Sequence, residues 1–332
     1  MQHYHLSPEF REKINAAEQV VLALEANVDL DALASVLVIS SLLDILNVRN
    51  VIITTLRPPK KYQGLPGIEK VQVGLTWEEL QRQLNAPEWI IVSDIGDLHQ
   101  LGDLCVQQSQ LFASTPIMQI DHHIENDVPA SFSFIDAKAA AVCEMVGYIL
   151  EDLSIPMTAD MSTLLLAGIY ADTLSFTSPA VTTRTLNMAA SLAAKGADIL
   201  LASHISGGYS IKQWRLWGEL LENAEIHHDG HIIVATVSQE ILRRYDMQSS
   251  EVSGLANLSA EIENVKGFAL LREQENGDIR VSFRSPGILP VVQVAEFFGG
   301  GGHVYAAACT IKQVSLVNAR KAILRQFEVV YK

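Results

Sequence analysis

The chain of 332 residues is 48% apolar and 19% charged, the balance of an ordinary folded protein, and is long enough for two domains with separate cores. Its net charge of -14 argues against a broad basic grip on duplex DNA, yet leaves room for a short anion held by a few side chains and cations. Cys105, Cys143 and Cys309 stand far apart without a CxxC pattern, which suits a reducing compartment better than a disulfide framework.

The amino-terminal stretch MQHYHLSPEFREK is polar and has no signal-peptide core. The most apolar segment, residues 32–46, is too short to span a bilayer and carries Asp44. The expectation is a soluble cytoplasmic protein with no membrane partner.

In chain order, residues 20–24 (VVLAL) predict a short buried strand and 31–46 a helix. Residues 51–55 (VIITT), 89–93 (WIIVS) and 117–120 predict further strands. Short apolar runs alternating with helical segments indicate βαβ units and a mostly parallel sheet. Helical spacing then predicts helices over 139–153, 159–171 and 182–195, the last closed by Gly196. A helix over 211–224 leads to strands at 232–237, 267–272 and 278–285, a helix at 291–298, and a strand at 306–311. The fold class expected is α/β: a larger domain over 1–195, a linker over 196–215, and a smaller α/β domain over 216–332, with a cleft between the two domains.

Chemistry concentrates where the predicted strands end. Asp29 and Asp31 follow the first strand, and alternate residues of an extended turn can aim both carboxylates into one volume; an aspartate before a helix is also an ordinary N-cap. Asp94 follows WIIVS, where a turn is the simpler explanation. The run Asp121-His122-His123 follows a buried strand, and polar groups so placed are costly unless they bind something. Asp172 follows an apolar helix and can reach a crevice or cap the next segment. As a set these residues suit hard divalent cations, two of which can share a bridging carboxylate.

Downstream, Phe298 precedes four glycines and His303. One glycine ends a helix; four can present backbone N–H groups to an anion, or form a flexible turn. Arg284, in VSFRSPG, offers a fork for phosphate, though a surface salt bridge explains a lone arginine equally well.

The order DxD, Asp, DHH, Asp, RS, GGGGH resembles the DHH phosphoesterase family in its two-domain form with a DHH-associated domain. The likeness is strongest to bacterial nano-RNases that also act as 3′-phosphoadenosine 5′-phosphate phosphatases. It extends through DHHIEND, LLLAGIYADTLSFTSPAVTTRTLNMAASLAAKGAD and GGGGHVYAAACTI. The resemblance implies one cation on Asp29 and Asp94 and another on Asp31, Asp94, His122 and Asp172, with Mn²⁺ the expected metal and Mg²⁺ the alternative. His123 would face the scissile phosphate and Asp121 would orient the imidazoles. Arg284, Ser285, Gly300, Gly301, Gly302 and His303 would hold the nucleotide. The implied reaction is hydrolysis of phosphate esters in nano-RNA, 3′-phosphoadenosine 5′-phosphate, or linear or cyclic dinucleotides by water activated between two cations. A homodimer is an open expectation; duplex DNA is not an expected partner.

The chain departs from the pattern HxxPDxD, reading EANVDLD, so that Glu25 stands where a histidine ligand is usual. A glutamate can bind a hard cation, with Asn27 a weaker substitute; alternatively the first metal site is weakened. Residues 139–141 are alanines where such relatives carry serines. Two other readings stand beside the first: an exopolyphosphatase or inorganic pyrophosphatase, and a nucleotide-binding regulatory protein with reduced catalysis.

Overall fold

The computed structural model describes residues 8–331. Residues 1–7, part of the polar stretch read above for the lack of a signal core, lie outside the described residues. The chain divides into two compact units, Met1–Gly208 and Tyr209–Lys332. No helix among the described residues is long and apolar enough to cross a membrane.

The first unit is built on six strands, β1 (Gln19–Ala23), β2 (Arg49–Thr54), β3 (Val71–Val73), β4 (Trp89–Ser93), β5 (Ile117–Asp121) and β6 (Phe132–Ile135). All neighbours pair in parallel, in the order β3-β2-β1-β4-β5-β6. The continuous apolar runs follow from burial of both faces. In β1, Val20 and Leu22 enter one core while Val21 and Ala23 enter the other. The first core takes in α1 (Pro8–Ala16) and α2 (Leu30–Ile45). The second takes in α3 (Trp77–Gln83), α4 (Leu104–Gln107) and α5 (Ser109–Ser114). Four later helices return to the first face: α6 (Val142–Asp152), α7 (Ala159–Asp172), α8 (Thr183–Ala194) and α9 (Ile199–Gly207). Helix α2 is apolar all round because it is enclosed by the sheet, α6 and α7.

Strand order reverses between β1 and β4, and a crevice at the carboxyl ends of strands flanking such a reversal is where open α/β sheets place ligands.

The second unit carries a mixed sheet of β7 (Glu225–His227), β8 (Ile232–Val237), β9 (Gly267–Glu273), β10 (Ile279–Arg284), β11 (Gly301–His303) and β12 (Ala306–Ile311), ordered β11-β12-β10-β9-β8-β7. Only β8 and β9 run parallel. Helices α10 (Ile211–Glu222), α11 (Gln239–Tyr245) and α12 (Gly254–Leu258) cover one face over β8 and β9. Helices α13 (Val292–Phe297) and α14 (Leu316–Val330) cover the other. The α/β class with two sheets is as expected from the sequence.

Two local expectations need correction. The helix predicted from residue 139 begins at Val142, because Ala139–Ala141 form the turn that enters it. Residues 196–215, read as a linker, hold α9 and the start of α10; α9 packs on α7, burying Ala202.

Candidate active site

The carboxyl ends of β1, β4 and β5 and the end of α7 supply the cluster. Asp29 caps α2, its Oδ1 accepting the Ala32 N–H at 2.9 Å, so the ordinary N-cap role is real. Asp31, in the first turn of α2, is wholly buried and serves a second helix. Its Oδ2 accepts the Val142 N–H at 2.6 Å and its Oδ1 the Cys143 N–H at 3.0 Å, supplying the start of α6 with acceptors that the Ala141 side chain lacks. Asp94 directly follows β4 at φ 61°, a left-handed conformation that a non-glycine residue holds only when its surroundings demand it.

His122 is the meeting point. Its Nε2 lies 3.4 Å from Asp94 Oδ1 and 3.2 Å from Asp172 Oδ2. Its Nδ1 lies 3.1 Å from the Ala139 carbonyl oxygen, which can only accept, so Nδ1 carries the hydrogen. Nε2 therefore faces two carboxylates either as an imidazolium or as a lone pair directed at a cation. Burial alone would lower the His122 pKa; the neighbouring Asp172 and Asp94 carboxylates override it and push it up to about 12. Two sets of side chains converge closely enough to hold a metal ion: Asp94 with His122 and His123, and Asp31 with His122 and Asp172.

The carboxylates of this cluster repel one another in a setting poor in water. Burial, then Asp172 and Asp94, raises Asp31 to about 8. Burial likewise raises Asp94, with Asp172 adding to it. Asp94 Oδ1 is buried without a hydrogen-bond partner. An unsatisfied buried carboxylate oxygen beside an imidazole and a second carboxylate is the donor set a divalent cation requires. The residues fit the group that the sequence implies.

Asp121, fully buried, is not in either set. Its Oδ1 accepts the His122 backbone N–H at 2.8 Å and meets His123 Nδ1 at 2.7 Å. Its Oδ2 accepts Asn126 Nδ2 at 2.6 Å, and Gln119 Nε2 holds Asn126 Oδ1 at 2.9 Å. Asp121 thus orients the His123 ring, while a backbone carbonyl orients that of His122. The hydrogen bond to Asp121 raises the His123 pKa against the effect of burial.

Glu25 and Asp29 fall outside both sets. Glu25 Oε1 accepts the Asp29 N–H at 2.8 Å, fixing the turn. Burial raises Glu25 to about 7, the Asp29 hydrogen bond opposing and Asp94 adding to the rise. Asn27 is exposed. Arg284, Ser285, the glycines and His303 are all in the second unit. Pairing of β10, β12 and β11 puts Arg284 and His303 on either side of Ala306 in one row. The Ser285 hydroxyl accepts the Leu289 N–H at 2.8 Å, within its own turn. Two of the glycines are required by packing. A Cβ at Gly300 would stand 2.2 Å from the Ala308 carbonyl oxygen, and one at Gly302 2.7 Å from that of Ala306.

Sequence reading missed a supporting residue. Glu144, fully buried in α6, accepts the Ala140 N–H at 3.2 Å and the Thr185 hydroxyl at 2.7 Å, and pairs with Arg184 Nε. Arg184 also pairs with Asp136 at 2.7 Å. A glutamate inside an apolar helix, with no basic residue one turn away, was the available signal.

Residues 19–169 match the DHH family N-terminal domain, and residues 229–329 match the DHHA1 domain. A probable bifunctional oligoribonuclease and PAP phosphatase NrnA of Streptococcus mutans is 29% identical over 191 residues, covering 58% of this chain and 61% of that protein. The bifunctional oligoribonuclease and PAP phosphatase NrnA of Thermus thermophilus is 29% identical over 208 residues, covering 63% of this chain and 62% of that protein. The cyclic-di-AMP phosphodiesterase PdeA of Listeria monocytogenes is 26% identical over 235 residues, 69% of this chain and 35% of that protein. The match thus spans about three fifths of the length of the two NrnA relatives. An exopolyphosphatase-related protein from Bacteroides fragilis shares the fold, with a TM-score of 0.86 over 98% of this chain and 97% of that one at 21% identity. The chain belongs to the DHH family, with a DHH domain followed by a DHHA1 domain.

Proposed function

We propose that this protein is a metal-dependent phosphohydrolase acting on phosphate esters of short nucleotides: nano-RNA, 3′-phosphoadenosine 5′-phosphate, or linear or cyclic dinucleotides. The observation that carries this reading is the convergence of Asp94 and Asp172 on His122 Nε2, beside buried Asp31, at the strand ends flanking the sheet reversal. Family membership supports the reaction class. The names of the relatives, oligoribonuclease and PAP phosphatase among them, support the substrate class.

Asp31, Asp94, His122 and Asp172 would hold one divalent cation, and Asp94 with Asp29 a second, Mn²⁺ or Mg²⁺, with Glu25 a candidate ligand. Bound cations of this kind polarise a phosphoryl oxygen and acidify water. The Ala139 carbonyl keeps the His122 hydrogen on Nδ1, so that Nε2 presents its lone pair inward. Asp121 fixes the His123 ring and favours its charged form, suited to a phosphate oxygen. Metal binding is assigned to a module over 1–195. Nucleotide binding by Arg284, Ser285, Gly300, Gly301, Gly302 and His303 is assigned to one over 216–332.

The test is a release panel with Mn²⁺ on pApA, short oligoribonucleotides, 3′-phosphoadenosine 5′-phosphate, cyclic dinucleotides, pyrophosphate and polyphosphate. Nucleotide or phosphate release from the first four groups is expected. Turnover confined to pyrophosphate or polyphosphate would overturn the substrate class. One observation favours a second reading, a nucleotide-binding protein with weakened catalysis: Glu25 is engaged by the Asp29 N–H and stands outside both ligand sets. That reading expects binding without turnover.

A further inference from the structure

The loop that leaves β2, residues 55–70, carries Arg57, Lys60 and Lys61 in the run LRPPKKY. Parallel pairing of β1 and β2 sets the start of this loop against the turn that bears Glu25 and Asp29. There the Leu24 N–H donates to the Ile53 carbonyl at 2.9 Å, and the Thr54 hydroxyl to the Glu25 carbonyl at 3.2 Å. The loop then folds back along α2. Buried Tyr62 and Leu65 enter the core that holds Val28, Leu30 and Leu37, and a Cβ on Gly67 would stand 3.6 Å from Leu37 Cδ2. Pro58-Pro59 restricts the backbone on the approach. One 3₁₀ turn, Lys60–Tyr62, follows, with the Gln63 N–H on the Lys60 carbonyl at 3.1 Å. Lys61 is therefore mounted on an anchored turn beside the acidic cluster.

These cations have no carboxylate of their own. Arg57, Lys60 and Lys61 are exposed, and none makes an ion pair among the described residues. Lys61 is set apart from the other two: its Nζ lies over the Tyr62 ring, 4.7 Å from the centre. Desolvation of that ammonium lowers the Lys61 pKa, and the Asp29 carboxylate opposes the fall. A solvated surface lysine is reading enough for Lys60, but it leaves the seat on Tyr62 and the influence of Asp29 unexplained. In the proposed function five carboxylates, those of Glu25, Asp29, Asp31, Asp94 and Asp172, lie around the cations. When ionised they exceed the charge of two divalent cations by one, and a charged His123 is already matched by Asp121. A phosphate entering this setting meets a net negative field unless a further positive group stands by. Lys61 is the cation that the first unit offers there.

We infer that Lys61 is a substrate-binding residue: its ammonium, seated on Tyr62 beside the turn that bears Asp29, donates to an oxygen of the phosphate brought to the cluster. Arg57 and Lys60 add an attracting field but no contact. The inference deepens the proposed function and rests on it for the identity of the anion. The contact is with phosphate and not with nucleoside, so it serves a phosphate ester of any leaving group and needs no residue of the second unit.

Methyl phosphate is the probe that tests it, since it has no nucleoside for the second unit to hold. Its binding to protein in Mn²⁺ is read from broadening of the phosphorus magnetic resonance, and Mn²⁺ affinity from electron paramagnetic resonance. Lys61→Ala is expected to weaken methyl phosphate about ten-fold, as loss of one charge-assisted hydrogen bond does, with Mn²⁺ affinity and melting temperature unchanged. Lys61→Arg, which keeps the charge and the donors, should retain most of the binding. Lys60→Ala should cost no more than about two-fold, the effect of an exposed charge that makes no contact. Absence of binding to the wild-type protein, unchanged binding in Lys61→Ala, an equal loss in Lys60→Ala, or a fall in Mn²⁺ affinity that accounts for the loss overturns the assignment. Methyl phosphate binding that depends on Lys61, without turnover of pApA, would leave the assignment standing and defeat the proposed activity alone.

Discussion

A single peptide group joins His122 to Glu144. The Ala139 carbonyl accepts from His122 Nδ1 at 3.1 Å, and the Ala140 N–H of the same peptide donates to Glu144 Oε2 at 3.2 Å. Polarised from its amide end by a buried carboxylate, that carbonyl is a better acceptor and holds the imidazole in one tautomer. Glu144→Leu is expected to weaken Mn²⁺ binding about 10–100-fold, as loss of outer support for a ligand does. Glu144→Gln, whose amide oxygen can still accept the Ala140 N–H, should recover most of that affinity. Titration of free Mn²⁺ by electron paramagnetic resonance reads both. Equal weakening in the two variants would mean that the charge on Glu144, and not its acceptor, is what matters.

Asp94 should matter in opposite directions for activity and stability. Asparagine tolerates the left-handed backbone at this position and removes one of the repelling buried charges. Asp94→Asn is expected to raise the metal-free melting temperature while lowering turnover below about 1% of wild type, since a cation supplies several kcal/mol of charge stabilisation. Thermal melts in chelator beside turnover in Mn²⁺ check both. A lower melting temperature would show that Asp94 is structural.

The framework of the first unit was legible because a parallel sheet buried on both faces turns its strands into unbroken apolar runs, and an aspartate at the end of such a run stands out. Asp94 and Asp121 were visible on that account, Asp29 in the turn that follows the first strand, and Asp172 at the end of an apolar helix. The two hydrogen bonds that Asp31 accepts from α6 were not, because they link residues more than a hundred positions apart. Nor was the carbonyl of Ala139, since any residue offers one. Helix α9 was hidden by its flanking glycines, Gly196 and Gly207-Gly208, and by surface residues such as exposed Leu200, which broke the amphipathic pattern. The glycine run suggested an anion nest. Close approach of β11 to β12 accounts for Gly300 and Gly302 on packing grounds alone.

Immediately after Asp172, Leu174, Ser175 and Phe176 all take left-handed backbone conformations, at φ 49°, 58° and 69°. Each such non-glycine residue costs about 1–2 kcal/mol. Leu174→Gly is therefore expected to stabilise the protein by about 1 kcal/mol, read by chemical denaturation, less whatever packing the leucine contributes. A marked loss of stability would show that Leu174 packing outweighs the backbone strain.

The pH dependence follows from the cluster. Glu25 and Asp31 have folded pKa values raised to about 7 and about 8, so the folded state binds protons that the unfolded state has released. Their contribution to stability is present below the ordinary carboxylate range and is lost as pH rises through about 7 and 8. His122 acts in the same sense: its contribution is full below the ordinary histidine range and falls away towards pH of about 12. The metal-free melting temperature should thus fall between about pH 5 and 8, as Glu25 and Asp31 lose their protons. Saturating Mn²⁺ should flatten or reverse the trend, because cations displace those protons. A melting temperature that rises over this interval in chelator would contradict the arrangement of repelling carboxylates.

In the proposed function, the Asp94–His122–Asp172 cluster makes this chain a metal-dependent phosphohydrolase. The most direct measurement is AMP release from pApA by metal-stripped protein before and after Mn²⁺ is restored, with His122→Ala alongside. Negligible release by the stripped protein, recovery on adding Mn²⁺, and loss of that recovery in His122→Ala are expected. Release that is indifferent to metal, or equal in His122→Ala and wild type, would contradict the claim.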